Sequence, residues 1–410
     1  MRRLFVLACL LSLAVLAAAQ RPAAHWVGTW AASQMGASAN EELPVTAGQP
    51  FTLRDIVHVS LGGRRLRLRL ANDFGPAPLH VVAAHIARVR SRVTGEIDPA
   101  SDRAITFAGR AAVTIPAGAE YLSDPVAFPL PPRSDLAVTL VLAAPPARAT
   151  DHSGAHETSF IAEGEQAAAP TLTQARAVEH WYFLAAVDVL AAPAARAVVC
   201  LGDSITDGHA STLNGDDRWP DDLAARLQQA AATRDVGVLN EGIGGNRLLL
   251  DGIGANALAR FGRDVLEQVG ARYLIVLEGI NDLGVLTRDH PVPAAEHERM
   301  VRRILAAYEQ IILRAHAHGM KVMGATITPD GGPSYYHPGP ASEADRQAIN
   351  AWIRARGHFD AVADFDRAVR DPAHPDRMLP GYDSGDHLHP SPAGYRAMAA
   401  AIPLKFFSAP

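Results

Sequence analysis

With 410 residues, 48% of them apolar and 20% charged, the chain is long enough for two or three domains that each bury an ordinary core. Its formal net charge of −5 becomes −7 (−5 − 2) once Arg2 and Arg3 are set aside as part of a leader. The later basic cluster, Arg64 to Arg69, is interleaved with leucines, which argues against a nucleic-acid groove.

Taken in chain order, Met1 to Gln20 shows an Arg2-Arg3 start, a mostly apolar segment from Leu4 to Leu16, and Ala17-Ala18-Ala19 before Gln20. That is the pattern of a secretory leader, residues 1–19, cleaved after Ala19, and it predicts a secreted or periplasmic protein. An apolar segment of about 13 residues is short of the roughly 20 needed to span a bilayer, so no integral membrane association is expected. Cys9 stands too early in the leader to serve as a lipidation site. Cys200 is then the only mature cysteine. No internal disulfide can form, and Cys200 reads as a small buried apolar residue.

From Trp26 to about Leu190 the hydrophobic pattern has period two. Ile56 to Leu61 and Arg65 to Leu70, joined through Gly62-Gly63, read as a hairpin, with Leu66, Leu68 and Leu70 inward and Arg65, Arg67 and Arg69 on a solvated face. Further runs at Ala104 to Phe107, Ala112 to Ile115, Leu136 to Leu142 and Trp181 to Leu190 are separated by Pro- and Gly-containing turns, with no long amphipathic helix between them. This predicts a β-rich, sandwich-like domain over residues 20–190. Ala191 to Ala197 reads as a short connector.

Beyond it, residues 197–410 alternate between strands and helices. Strands are expected at Ala197 to Leu201, Val236 to Asn240, Tyr273 to Leu277, Lys321 to Thr326 and Ala361 to Phe365. The clearest helix is Ala294 to His318, whose Met300, Ile304, Tyr308, Ile311, Ile312 and Ala315 share one face, closed by Gly319. Such alternation makes a parallel sheet covered on both sides, and ligands bind such sheets beyond the strand carboxyl ends.

The residues that fall at those ends carry the chemistry. Gly202-Asp203-Ser204 follows the first strand. A serine there becomes a nucleophile only when a base removes its proton and a donor array receives the oxyanion. After the second strand comes Asn240-Glu-Gly-Ile-Gly-Gly-Asn-Arg247, which fails as a G-x-G-x-x-G dinucleotide fingerprint because Arg247 stands where the last glycine is needed. A glycine loop of this kind can instead offer a bare backbone N–H to an oxyanion. After the third strand, Asn281 in Glu278-Gly-Ile-Asn-Asp282 can donate its amide to the same oxygen, or can be a turn residue. Near the C-terminus, Ser391-Pro392 reads as an N-cap and first helical residue, leaving Asp386 and His389 in the preceding loop. A carboxylate three residues before a histidine can fix its tautomer and leave Nε2 free to accept the serine proton. Asp386, His387 and His389 are also ligand types, so a metal site is the competing reading of that loop. His337 and His374 read as surface loop residues.

Together these stretches resemble the SGNH, or GDSL, hydrolase superfamily: Gly202-Asp203-Ser204, Gly245 in the glycine loop, Gly279-Ile280-Asn281-Asp282, and Asp386-His387-Leu388-His389. The resemblance implies a flavodoxin-like, three-layer α/β/α domain with no metal and no cofactor. It implies Ser204 as nucleophile, His389 as base and Asp386 as its orienter. It also implies an oxyanion hole made by the Ser204 N–H, the Gly245 N–H and the Asn281 side chain. The segment Val27-Gly-Thr-Trp-Ala-Ala-Ser33 and the strands after it are similar to the region preceding the catalytic domain in some secreted bacterial members. Gly202-Asp203-Ser204-Ile205-Thr206 lacks the second glycine of the G-x-S-x-G elbow of α/β-hydrolases.

The expected reaction is ester hydrolysis through an acyl-serine, on a small-molecule or polysaccharide ester. Arg247, Tyr335 and Tyr336 are the candidate substrate-binding residues, and they favour a polar, sugar-like acceptor such as an O-acetylated carbohydrate. A lipase or lysophospholipase-type acylhydrolase, and a polysaccharide-binding protein with a vestigial hydrolase half, are the alternatives.

Overall fold

The computed structural model describes residues 25–38, 43–332 and 335–408, so the leader expected over residues 1–19 lies outside the described residues. Two large antiparallel sheets and a small one, Trp181–Tyr182, Thr150–His152 and Met35–Gly36, make up the N-terminal region. In the first, Trp26–Ala31, Leu184–Leu190, Gly63–Ala71 and Val126–Leu130 lie side by side. In the second the order is Arg176–Val178, Ser159–Glu163, Phe51–Val59, Ser134–Leu142, Leu79–Ser91. Along Phe51–Val59 successive side chains serve opposite faces: Leu53 and Val57 join the main core, whereas Ile56 packs with Ala87, Ala137 and Phe160 in a smaller cluster on the outer face.

Three expectations for this region are corrected. Phe51–Val59 and Gly63–Ala71 are not a hairpin: the first pairs with Ser134–Leu142 and Ser159–Glu163, the second with Leu184–Leu190 and Val126–Leu130. Phe51–Val59 is buried on both faces and needs a strand on each side, so Gly62-Gly63 carries the chain across from one sheet to the other. A Cβ on Gly62 would stand 2.7 Å from the Leu130 carbonyl oxygen, which is why this crossing takes glycine. Trp181 to Leu190 is interrupted at Phe183, whose φ of 59° breaks the run into Trp181–Tyr182 and Leu184–Leu190 in different sheets. The arginine stripe is a solvated face only at Arg65. Arg67 pairs with Asp188 at 2.9 Å, and buried Arg69 donates to Gln268 at 2.6 Å.

The C-terminal region is a parallel sheet of β1 (Arg196–Gly202), β2 (Val236–Gly242), β3 (Ala271–Leu277), β4 (Lys321–Ala325) and β5 (Ala361–Ala363), in the spatial order β2-β1-β3-β4-β5. This is the doubly-wound order of flavodoxin-like folds. Its helices fall into two groups that pack among themselves. One contains Trp219–Gln229, Phe365–Val369 and Pro392–Ala401; the other contains Ala257–Phe261, Ile280–Thr287, Ala294–Ala317 and Pro340–Arg354. β5 stops at Ala363 because Asp364 caps a new helix, accepting from the Arg367 N–H. Cys200 is a buried free thiol in β1, pushed up by burial. Among the described residues no helix is long and apolar enough to cross a membrane.

The two regions share one continuous apolar core. Trp26–Ala31 lies against β2 so closely that a Cβ on Gly237 would come within 2.5 Å of the Gly28 carbonyl oxygen. Ser60 bridges the same junction, donating to Thr29 O at 2.7 Å and accepting from the Val238 N–H at 2.8 Å.

Candidate active site

β1 ends at Gly202, where a side chain is excluded: a Cβ would lie 2.0 Å from Thr206 Oγ1 and 2.7 Å from the Leu277 carbonyl oxygen. Asp203 then caps the short helix Ser204–Asp207, its carboxylate accepting from the Ile205 N–H at 2.9 Å. Ser204 is therefore the first helical residue, and its N–H has no acceptor within the helix. Burial pushes the Asp203 carboxyl up to about 7.

The loop before helix Pro392–Ala401 brings Asp386 and His389 to the same sheet edge. His389 Nε2 lies 2.8 Å from Ser204 Oγ, and its Nδ1 lies 2.6 Å from Asp386 Oδ2. The carboxylate can only accept there, so Nδ1 carries the proton and Nε2 is the acceptor for the serine hydroxyl. Asp386 Oδ1 also accepts from the N–H groups of Leu388 and His389, at 3.0 and 2.8 Å, and from Ser384 Oγ at 3.0 Å. Burial alone would raise this carboxyl. The hydrogen bonds from His389 and the backbone outweigh it and hold Asp386 well below the ordinary carboxylate range.

Gly245 and Asn281 line the same cavity as Ser204 and His389. Gly245 has φ 68°, a left-handed conformation suited to glycine, and its N–H has no hydrogen-bond acceptor among the described residues. Asn281 is the second residue of helix Ile280–Thr287 and not its cap, which is Gly279. The residue is 2% exposed, and its side chain is fixed at both ends. Tyr336 OH donates to Oδ1 at 2.7 Å, and Nδ2 donates one hydrogen to Asn246 O at 2.8 Å. The second Nδ2 hydrogen is left for another acceptor. Ser204, Gly245, Asn281 and His389 line one open cavity of about 370 Å³, together with His209, Ile253, Tyr335, Tyr336 and Leu388.

The remaining candidates divide. Tyr335 stands on the rim, 63% exposed, with its hydroxyl accepting from Arg288 at 3.2 Å. Tyr336 is buried beneath it and holds Asn281. Arg247 does not line the cavity; its guanidinium turns back to the Asp251 carbonyl of its own loop. The histidine-aspartate loop does not converge as a metal site of Asp386, His387 and His389. His387, with φ 62°, is directed to Asp383 at 2.6 Å, and lines a separate cavity with exposed His374. The residue that joins Asp386 and His389 within ligand distance is His209. Its ring centroid is 4.1 Å from that of His389, and burial, then His389, lowers its basicity.

Other contributors went unread in the sequence. Asp282 accepts from the N–H groups of Leu248 and Leu249 at 2.8 and 3.1 Å, and Asp207 accepts from the Gly244 N–H at 3.1 Å. These carboxylates hold the glycine loop on either side of Gly245. Asp282 adjoins Asn281 in the third block and Asp207 follows Ser204 by one helical turn, so adjacency to the motifs is the signal that could have found them.

Residues 200–397 match the model of the GDSL-like Lipase/Acylhydrolase family. Among solved structures, a GDSL-like lipase from Bacteroides thetaiotaomicron is 20% identical, covering 50% of this chain and 85% of its own, with a TM-score of 0.36. An acetylxylan esterase from Geobacillus stearothermophilus is 19% identical, covering 52% of this chain and 95% of its own, with a TM-score of 0.38. At these identities and scores the likenesses carry no argument about substrate. No curated protein matches the chain. Residues 200–397 are thus a GDSL-like lipase/acylhydrolase domain, in line with the resemblance of its motifs to the SGNH, or GDSL, hydrolases.

Proposed function

We propose that the protein is a serine esterase that cleaves carboxylic esters through an acyl-serine. The observation that carries this reading is the unbroken chain Ser204 Oγ, His389 Nε2, His389 Nδ1, Asp386 Oδ2, at 2.8 and 2.6 Å, in a cavity that Gly245 and Asn281 also line. Ser204 Oγ attacks the carbonyl carbon while its proton passes to His389 Nε2, and Asp386 stabilises the resulting imidazolium. The carbonyl oxygen, now an oxyanion, is received by the Ser204 and Gly245 N–H groups and the Asn281 amide. Collapse expels the alcohol, which takes its proton from His389. Water then repeats the sequence on the acyl-serine and releases the acid.

For the acyl acceptor we favour a carbohydrate or another small polar ester carrying short acyl groups. The support is the open cavity, with His209 and Tyr335 at its mouth, and a leader-like N-terminus that would deliver the chain to the periplasm or beyond it. Exposed apolar Ile253, at 67%, in the lining of the same cavity as Tyr335, supports a second reading, an acylhydrolase for lipid-like esters. A panel of p-nitrophenyl acetate, butyrate and octanoate beside acetylated xylan and acetylated sugars separates them. Preference for acetyl groups and release of acetate from the carbohydrates supports the first reading. Rising kcat/KM toward octanoate with no carbohydrate deacetylation supports the second.

A further inference from the structure

The glycine loop that carries Gly245 is held from within the catalytic domain at Asn246, Leu248 and Leu249, by Asn281 and Asp282. Its other side is held at Gly244, by Asp207 Oδ2. The second oxygen of Asp207 does not face its own domain. Oδ1 lies 2.8 Å from Nε2 of His152, a residue of the strand Thr150–His152 in the N-terminal β-rich region. His152 Nδ1 in turn lies 2.8 Å from the Ser33 carbonyl oxygen, also N-terminal. A carbonyl oxygen can only accept, so Nδ1 carries a proton and its ring position is fixed. Trp181 stacks on the ring at 5.6 Å. Both members of the contact are shut away from water, His152 at 1% exposure and Asp207 at 3%. Two residues further on, Gly154 presses on the same carboxylate so closely that a Cβ would stand 2.0 Å from Asp207 Oδ2.

We propose that His152 is a positioning residue for the esterase site: through Asp207 it sets the Gly244-Gly245 backbone, and so makes the N-terminal region part of the oxyanion-binding apparatus. The inference rests on the esterase reading given above. It follows from the geometry because the carboxylate that fixes Gly244 N–H has only two oxygens, and one of them is committed to the other domain. When His152 is lost, Asp207 is left buried with one oxygen unpartnered. It then has reason to turn toward another donor, and Gly244 moves with it. A misplacement of about 1 Å in such an apparatus costs on the order of 10²-fold in rate. Because the oxyanion exists only after attack, the loss falls on kcat and leaves KM within about twofold.

The test compares His152→Ala and His152→Gln with Ser60→Ala in the full chain. Ser60 supplies an interdomain hydrogen bond of similar length at β2, away from the glycine loop, and reports loss of docking alone. Turnover of p-nitrophenyl acetate, melting temperature, and hydrogen exchange of a peptide covering residues 242–248 are measured for each. We expect His152→Ala to lose roughly ten- to a hundredfold in kcat, with faster exchange in that peptide. Glutamine, whose amide can still donate to Asp207, recovers part of both. Ser60→Ala lowers the melting temperature and leaves kcat and that peptide's exchange unchanged. If His152→Ala keeps wild-type exchange at 242–248, or if its kcat loss is matched by Ser60→Ala at equal loss of stability, the inference is overturned. Absence of turnover in the wild type overturns the esterase reading instead, and the exchange comparison still decides whether His152 holds the loop.

Discussion

Replacing Asn281 by alanine separates a transition-state role from a packing role. The side chain joins Tyr336 OH at 2.7 Å to Asn246 O at 2.8 Å, so truncation leaves a buried hydroxyl and a buried carbonyl without their partner. Each such loss costs about 1–3 kcal/mol, so a lower melting temperature is expected on structural grounds alone. The catalytic consequence is additional. One of three proposed oxyanion donors disappears, which typically costs 10² to 10³ in turnover, about 2.7–4 kcal/mol. KM should change little, because the ground-state carbonyl is not yet charged. Asn281→Asp sharpens the comparison: it keeps an acceptor for Tyr336 but replaces the donor with a negative charge, and should turn over no better than alanine despite melting later. The assay is kcat and KM on p-nitrophenyl acetate beside a melting curve for each variant. An alanine variant that melts early but turns over like the wild type would refute the reasoning and leave only the Ser204 and Gly245 N–H groups at the oxyanion.

Other outcomes follow from the same geometry. Asp386→Asn should reduce kcat by about 10⁴, because an amide in that position favours the wrong histidine tautomer; a loss below tenfold by the same assay would remove Asp386 from its orienting role. Chelation with EDTA should leave activity unchanged, whereas a loss that zinc restores would revive a metal reading around His209, Asp386 and His389. Stability should fall as pH rises from about 5 to 9. Burial lifts the carboxyls of Asp282, Asp203 and Glu241 to about 6, 7 and 8, above the unfolded range near 4. Groups raised on folding add stability that is complete below their unfolded pKa and lost as pH climbs through the folded one. Glu241→Gln should flatten that slope, and a melting temperature that is constant or rising over this window would contradict it.

The sheet and its active-site edge were legible because parallel strands buried on both faces read as apolar runs, and the first three runs lead directly into the loops that carry Gly202-Asp203-Ser204, Gly245 and Asn281. Ser204, Asp386 and His389 lie within short motifs, so their proximity in the fold needed only the strand-end rule. The N-terminal sheets were less legible. Period two tells which residues face inward but not which strand is the neighbour, so Ile56 to Leu61 and Arg65 to Leu70 looked like a hairpin although their partners lie more than fifty residues away. Arg69 read as part of a solvated face and Arg247 as a substrate-binding residue because the pattern shows neither one's partner. Nothing local shows that Gln268 waits for one, or that the other folds back on its own loop. His152 was invisible to any motif because its partner, Asp207, lies across the domain junction.

The central claim is tested most directly by intact-mass measurement after treatment with a serine-directed alkyl phosphonate. The account predicts one covalent group on the wild-type chain, mapped to Ser204, with activity lost in step, and none on Ser204→Ala, which retains the wild-type melting curve and has essentially no esterase activity. Labelling of Ser204→Ala to the same extent, or esterase turnover by that variant, would contradict it.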